Sequence, residues 1–185
     1  ADDTALIAFT SGTTGAPKAT MHFHRDIIAM CDCFPRSFGM AEPHDIFTGT
    51  PPLAFTFGLG GLTCFPMRFG ASTRFFPAPL GPEDMMAAIE KYKITSLYTA
   101  PTLYRLLADL VDKYDISSLE KCVSAGETLP KATWEAFHNA TGIRIVDGLG
   151  STEMIHIFVA ASREDMRPGF TGKAIQKQCS HGLAD

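Results

Sequence analysis

The densest chemistry in the chain lies between Phe9 and Lys18, FTSGTTGAPK, where four hydroxyls, two glycines and a lysine fall within ten residues. This stretch is too polar for a strand and too rich in glycine for a helix, so it is predicted to be a loop whose backbone N–H groups can converge on an anion. Thr10, Ser11, Thr13 and Thr14 can donate hydroxyl hydrogen bonds, Gly12 and Gly15 let the backbone come close, and Lys18 adds positive charge. A polyphosphate is the ligand that such donors suit. The Walker pattern G-x-x-x-x-G-K-[ST] is absent, because only two residues separate Gly12 from Gly15 and Lys18 follows Ala16-Pro17. Composition alone fits a surface hairpin loop with a solvated lysine equally well.

Two further stretches carry side chains of the right kind. Asp147 to Glu153, DGLGSTE, follows an apolar run predicted as a strand. In it Glu153 could ligate Mg²⁺, a hard cation that prefers oxygen, while Thr152 bonds a phosphate oxygen neutralised by the same metal. A glycine turn with an exposed glutamate is the commoner use of such residues. Pro51 to Gly61, PPLAFTFGLGG, sets Phe55 and Phe57 beside glycines and could line an organic pocket, although core packing explains aromatics there as readily. Cys31-x-Cys33 and His22-x-His24 have the wrong spacing for a zinc knuckle, and the five scattered cysteines suit reduced thiols.

Those loops need a scaffold, and 185 residues with 45% hydrophobic content can bury a core. A net charge of −4 with no basic tract argues against nucleic acid as partner. No charged-then-apolar leader and no apolar run of about 18 residues is present, so a cytoplasmic protein without membrane contact is expected. Strands are predicted at 4–9 and 19–23 on either side of the hydroxyl-rich loop, followed by a helix over 24–34 closed by Pro35. A strand at 45–49 leads into PPLAFTFGLGG, and a buried helix over 62–69 carries Pro66 as a kink or break. From there strands at 72–76, 94–99, 119–124 and 143–146 alternate with helices at 82–91, 102–114 and 130–139. The fold class implied is α/β, a mostly parallel sheet flanked by helices, with ligands beyond the carboxyl ends of the strands.

Taken in order, Phe9 to Lys18, Pro52 to Gly61, Ser124 to Pro130 and Asp147 to Glu153 resemble the nucleotide loop, aromatic gate, adenine-side loop and T-E motif of the adenylate-forming acyl-CoA synthetases. The resemblance runs from about Asp3 to Ile175, and T-S-G-T-T-G-x-P-K is its most specific motif. GLGSTEMIHIF and SAGETLP look nearest to the benzoate and 2-aminobenzoate CoA ligases. The fold implied is part of the large N-terminal domain of such an enzyme. The chemistry implied is that an aromatic carboxylate attacks the α-phosphate of ATP, giving acyl-AMP and pyrophosphate, after which coenzyme A displaces AMP.

By the same resemblance Thr10, Ser11, Gly12, Thr13, Thr14, Gly15 and Lys18 would shield the β and γ phosphates. Thr152 would contact the α-phosphate and Glu153 the metal. Gly126, Glu127 and Thr128 would border the adenine, opposite Asp147, Gly148 and Leu149. Leu149 stands where the wider family commonly stacks an aromatic on that base. Phe55 stands where many members have histidine, and Thr56, Phe57, Ala125, Gly150, His156 and Ile157 match the aryl-pocket lining. From composition His156 would be a core histidine, and only its place in TEMIHIF brings it to the pocket.

Family members are longer, with a ribose-binding aspartate and a catalytic lysine beyond the matched stretch. Residues 1–175 are therefore expected to be the central part of an AMP-binding domain, with 176–185 an atypical tail, truncated or altered. Weak nucleotide binding, slow turnover and association through exposed edges, as a homodimer or with a partner, are expected of the piece. Two rival readings stay open: an adenylation domain with another acceptor, and a noncatalytic nucleotide-binding or assembly module.

Overall fold

The structure, a computed structural model, describes residues 2–10, 17–162 and 164–175. It opens with a hairpin in which β1 (Thr4–Thr10) pairs antiparallel with β2 (Lys18–Phe23), from Thr4 opposite Phe23 to Thr10 opposite Lys18. Alternation along the ladder turns Leu6 toward the core and leaves Ile7, Phe9 and Met21 exposed on the outer face. Helix α1 (His24–Phe38) follows, its first turn closed by the Asp26 carboxylate, which accepts the Phe23 N–H at 2.8 Å.

The sequence places the end of α1 before Pro35, yet the helix runs through it and stops at Gly39 in the left-handed region, φ 59°. Proline removes one helical N–H, but Phe34 and Pro35 are buried and the Met40 N–H returns to the Pro35 carbonyl at 2.8 Å, so the packed last turn is kept.

The main sheet has seven strands: β3 (Ile46–Gly49), β4 (Ser72–Thr73), β5 (Ser96–Thr99), β6 (Lys121–Ala125), β7 (Ile145–Gly150), β8 (Ile157–Ala160) and β9 (Lys173–Ala174). Their order is β4-β3-β5-β6-β7-β8-β9, with parallel pairing from β4 through β7 and antiparallel pairing for β8 and β9. The mostly parallel α/β architecture expected from the alternation is thus present. The antiparallel edge was not foreseen, because MIHIF alternates too briefly to separate a strand from a helix.

Between β3 and β4 the chain is helical for longer than expected: α2 (Thr56–Leu59), a π-helical turn at Gly60–Cys64 and α3 (Phe65–Phe69) form one run. The FTFGLGG stretch is therefore helix, with its glycines packed closely and not left open as a loop. Helices α4 (Pro82–Tyr92), α5 (Pro101–Ala108) and α6 (Lys131–Thr141) connect the later strands. Helix α5 is shorter than predicted: it ends at Ala108, and a 3₁₀ turn at Val111–Lys113 leads on to Tyr114. Strand β4 is two residues instead of five, and β7 continues through Asp147–Gly150, which the sequence places in a loop.

Successive residues of the central strands enter opposite cores, as a sheet covered on both faces requires. Tyr98, Val123 and Val146 join Phe34, Phe47 and Phe65 beneath α1 and α3. Leu97, Cys122 and Ile145 join Met85, Ile89, Tyr104, Trp134 and Phe137 beneath α4, α5 and α6. Among the described residues Cys31, Cys33, Cys64 and Cys122 form no disulfide, no three metal-ligating side chains converge, and no helix is long and apolar enough to cross a membrane.

At the amino ends of β3, β5 and β6 the sheet is closed by a buried polar group. Lys121, 3% exposed, donates from Nζ to Asp45 Oδ2 at 2.6 Å and to Glu42 Oε2 at 2.9 Å. Asp45 also accepts the Thr95 hydroxyl at 2.8 Å and the Glu42 N–H at 2.7 Å. Replacing Lys121 by methionine keeps the aliphatic reach but strands a buried carboxylate, so Lys121→Met is expected to lose about 3 kcal/mol or more. Urea denaturation of variant and parent measures this, and a loss below about 1 kcal/mol would mean the pair behaves like a surface ion pair.

Candidate functional site

Because β3, β5, β6 and β7 are parallel, the segments leaving their carboxyl ends meet along one edge. After β3, Thr50 donates its N–H to Tyr98 O at 3.1 Å and shares a hydroxyl hydrogen bond of 2.6 Å with Thr99, which holds PPLAF against β5. After β6 comes Gly126, whose φ of 90° is strained for any side chain, then exposed Glu127 and Thr128. Ser124 lies opposite Asp147 and Ala125 opposite Gly148, so the Gly126–Thr128 loop leaves β6 beside the strand that carries Leu149, 53% exposed. Asp147 is half-buried and accepts the Thr171 hydroxyl at 2.7 Å, while burial pushes its carboxyl above the usual carboxylate range.

Beyond β7 the chain turns sharply. The Thr152 carbonyl accepts the Ile155 N–H at 3.1 Å, and the Ser151 hydroxyl accepts the Met154 N–H at 3.2 Å. Glu153 projects from this turn and is exposed. Facing it is β2, from which buried His22 donates from Nε2 to the same Thr152 carbonyl at 2.7 Å. Beside this contact lies a cleft of about 420 Å³, lined by Thr20 and His22 of β2, Met30 of α1, Glu153 and Ile155 of the turn and Phe158 of β8. Thr10 and Lys18 are cross-strand partners at the tip of the described ladder. Ser11, Gly12, Thr13, Thr14 and Gly15 lie outside the described residues.

The residues matched to an aryl pocket form a contiguous group, with one exception. His156, 2% exposed, packs edge-on against Phe65 at 4.6 Å between ring centroids and near Phe57 at 5.7 Å. Its Nε2 donates to the Phe57 carbonyl at 3.3 Å, and its Nδ1 has no hydrogen-bond partner among the described residues. Burial pushes its pKa down to about 3, so the ring is neutral. A Cβ on Gly60 would lie 2.4 Å from His156 Cδ2, so glycine at the π-helical turn is what lets the helix approach the imidazole. Ile157 pairs with Gly150 across a register shift in β7, and Ala125 adjoins Gly148. Phe55, at the mouth of α2, is instead 63% exposed, with Thr56 next to it.

Sequence reasoning weighed His22 only as a metal ligand, and passed over Tyr98 and Gly60. Alternation in β2 was the available signal for His22, since it shares the inward row with Thr20 and lies opposite Leu6.

The sequence pattern of the family described as AMP-binding enzyme matches residues 1–180. The benzoate–CoA ligase of Thauera aromatica is 32% identical over 176 residues, 94% of this chain and 33% of that protein. The p-hydroxybenzoic acid–AMP ligase FadD22 of Mycobacterium marinum (strain ATCC BAA-535 / M) is 34% identical over 175 residues, 94% of this chain and 25% of that protein. The crystal structure of the anthranilate CoA ligase AuaEII in complex with anthranoyl-AMP superposes with a TM-score of 0.84 at 37% identity, covering 95% of this chain and 34% of that one. The chain thus spans a third or less of the length of the curated relatives it matches.

His156 gives the site a pH signature. Its folded pKa of about 3 is below the ordinary 6.5, so the unfolded chain binds the extra proton first. The stability this contributes is complete above pH 6.5 and falls as pH drops toward 3, with a slope of up to about 1.4 kcal/mol per pH unit. Urea midpoints measured across that window should fall more steeply for the parent chain than for His156→Phe, and parallel curves would contradict a neutral buried ring.

Proposed function

The chain belongs to the AMP-binding enzyme family, and from that premise we propose that it supplies the phosphate-facing and aryl-facing walls of an ATP-dependent aryl-acid CoA ligase. The observation that carries this reading is the cleft shared by β2 and the Thr152–Glu153 turn, since β2 is one arm of the hydroxyl-rich loop. The relatives add the substrate class, because those compared act on benzoate, p-hydroxybenzoate and anthranilate.

In the first step a carboxylate oxygen of the aryl acid attacks the α-phosphorus of ATP, and pyrophosphate leaves. Two anions must meet, so the barrier is chiefly electrostatic. Thr10, Lys18 and the hydroxyls and backbone of residues 11–15 hold the β and γ phosphates, and the Thr152 hydroxyl donates to the α-phosphate. Gly126, Glu127 and Thr128 border the adenine across from Asp147, Gly148 and Leu149, whose aliphatic side chain covers the base where other members stack an aromatic ring. Phe55, Thr56, Phe57, Ala125, Gly150, His156 and Ile157 shape the aryl pocket, with neutral His156 adding no cation beside the substrate carboxylate.

Glu153 fits Mg²⁺, which retains water and takes only one or two carboxylates alongside substrate phosphates; a single exposed carboxylate matches that need. When bound, the metal neutralises phosphate charge. Acyl-AMP then passes its acyl group to the thiol of coenzyme A, releasing AMP. An acceptor other than coenzyme A is the second reading, favoured by the likeness to an AMP ligase.

ATP–pyrophosphate exchange tests the proposal in a protein that carries this chain within the full length of its relatives. Benzoate or 2-aminobenzoate should drive exchange well above acetate, and Thr152→Val and Glu153→Gln should each lower it about 100-fold. Exchange indifferent to both substitutions would remove the T-E turn from the chemistry.

A further inference from the structure

We infer that His22 is a positioning residue that clamps the Thr152–Glu153 turn to the hairpin carrying the hydroxyl-rich loop. The hairpin is a separate two-stranded sheet, so no ladder of the seven-stranded sheet sets its distance from the turn. Beyond the direct run of β2 into α1, that distance is left to side chains. Leu6 supplies apolar contact with the core, but an apolar contact allows sliding. The His22 hydrogen bond, at 2.7 Å and with the histidine 5% exposed, is directional.

The accepting carbonyl is also the one that matters most for the turn. Thr152 O takes two hydrogen bonds, from His22 Nε2 and from the Ile155 N–H at 3.1 Å. Because a peptide unit is planar, fixing this carbonyl fixes the Glu153 N–H in the same plane and so the directions in which both side chains leave the backbone. The turn needs such fixing. Ile155 has φ 64°, a left-handed conformation that a β-branched residue holds only where its surroundings over-determine it. Its own burial at 5% exposure and the two bonds to Thr152 O are that over-determination. A carbonyl can only accept, so Nε2 carries the proton that makes this bond.

The functional half of this inference rests on reading Thr152 and Glu153 as phosphate and metal ligands, whereas the clamp itself does not. The test therefore has two arms, run on a protein that carries this chain within the full length of its relatives, as His22→Leu and His22→Gln, the glutamine restoring an N–H donor at similar reach. In the first arm, NMR hydrogen exchange at the Ile155 amide should quicken about tenfold in His22→Leu, the scale of one buried hydrogen bond, with the Val123 amide unchanged. In the second, affinity for Mg·ATP, followed at the Thr152 and Glu153 amides, should weaken about tenfold while benzoate affinity stays constant. His22→Gln should recover both.

Unaltered Ile155 exchange in His22→Leu overturns the clamp, as does an equal weakening of Mg·ATP and benzoate, which would mean general loosening. If the leucine variant fails to fold, His22→Gln decides: parental exchange supports the clamp, and fast Ile155 exchange in a folded glutamine variant overturns it. A parent chain whose amides ignore Mg·ATP counts against the nucleotide reading, and Ile155 exchange alone then judges the clamp.

Discussion

The rest of the structure depends on a parallel sheet that must hide both faces from water. Tyr98, Val123 and Val146 fill one side and Leu97, Cys122 and Ile145 the other, so the central strands cannot slip by one residue without exchanging two cores. Parallel pairing then forces every return path over a face of the sheet, which puts the helices there and sends all the strand-leaving segments to one edge. PPLAF, Gly126–Thr128 and the Thr152–Glu153 turn are neighbours because of that constraint, although a hundred residues separate the first from the last.

The two ends of the sheet are built from opposite chemistry. At the amino end a long cation is buried against two carboxylates, so charge is tied up in contacts that leave nothing for a ligand. At the carboxyl end the residues are small, hydroxylic or glycine, and the Gly126 backbone and the Thr128 hydroxyl stay exposed. A ligand rich in negative charge needs donors that are not already saturated, and only the second end offers them.

Much of this was legible in the sequence, and what was not has identifiable causes. The strands predicted at 45–49, 94–99, 119–124 and 143–146 stand out as short apolar runs bounded by small or polar residues, so the alternation and the fold class could be read directly. Pro35 misled because local rules see a lost N–H and not the packing of Phe34 beneath it. FGLGG misled because glycine signals a loop unless one knows that His156, far along the chain, needs the room at Gly60. The loop, gate and T-E motifs were visible through their resemblance to a family, while His22 was not: its function is to meet a backbone carbonyl 130 residues away, and no spacing rule encodes that.

His22 and His156 show how one residue type serves two physical purposes beside the same turn. Both are buried, and each donates from Nε2 to a main-chain carbonyl of a distant segment, Thr152 O and Phe57 O. For His156 the surroundings are aromatic on several sides, so burial dominates and the ring is held neutral. His22 instead borders an open cleft next to Asp26 and Glu153. One imidazole therefore fixes an apolar wall and the other joins two polar segments, and the turn from Thr152 to His156 lies between them. Under the proposed function, a site that brings an aromatic carboxylate to a polyphosphate needs both kinds of wall within a few residues, and this short turn would provide the junction.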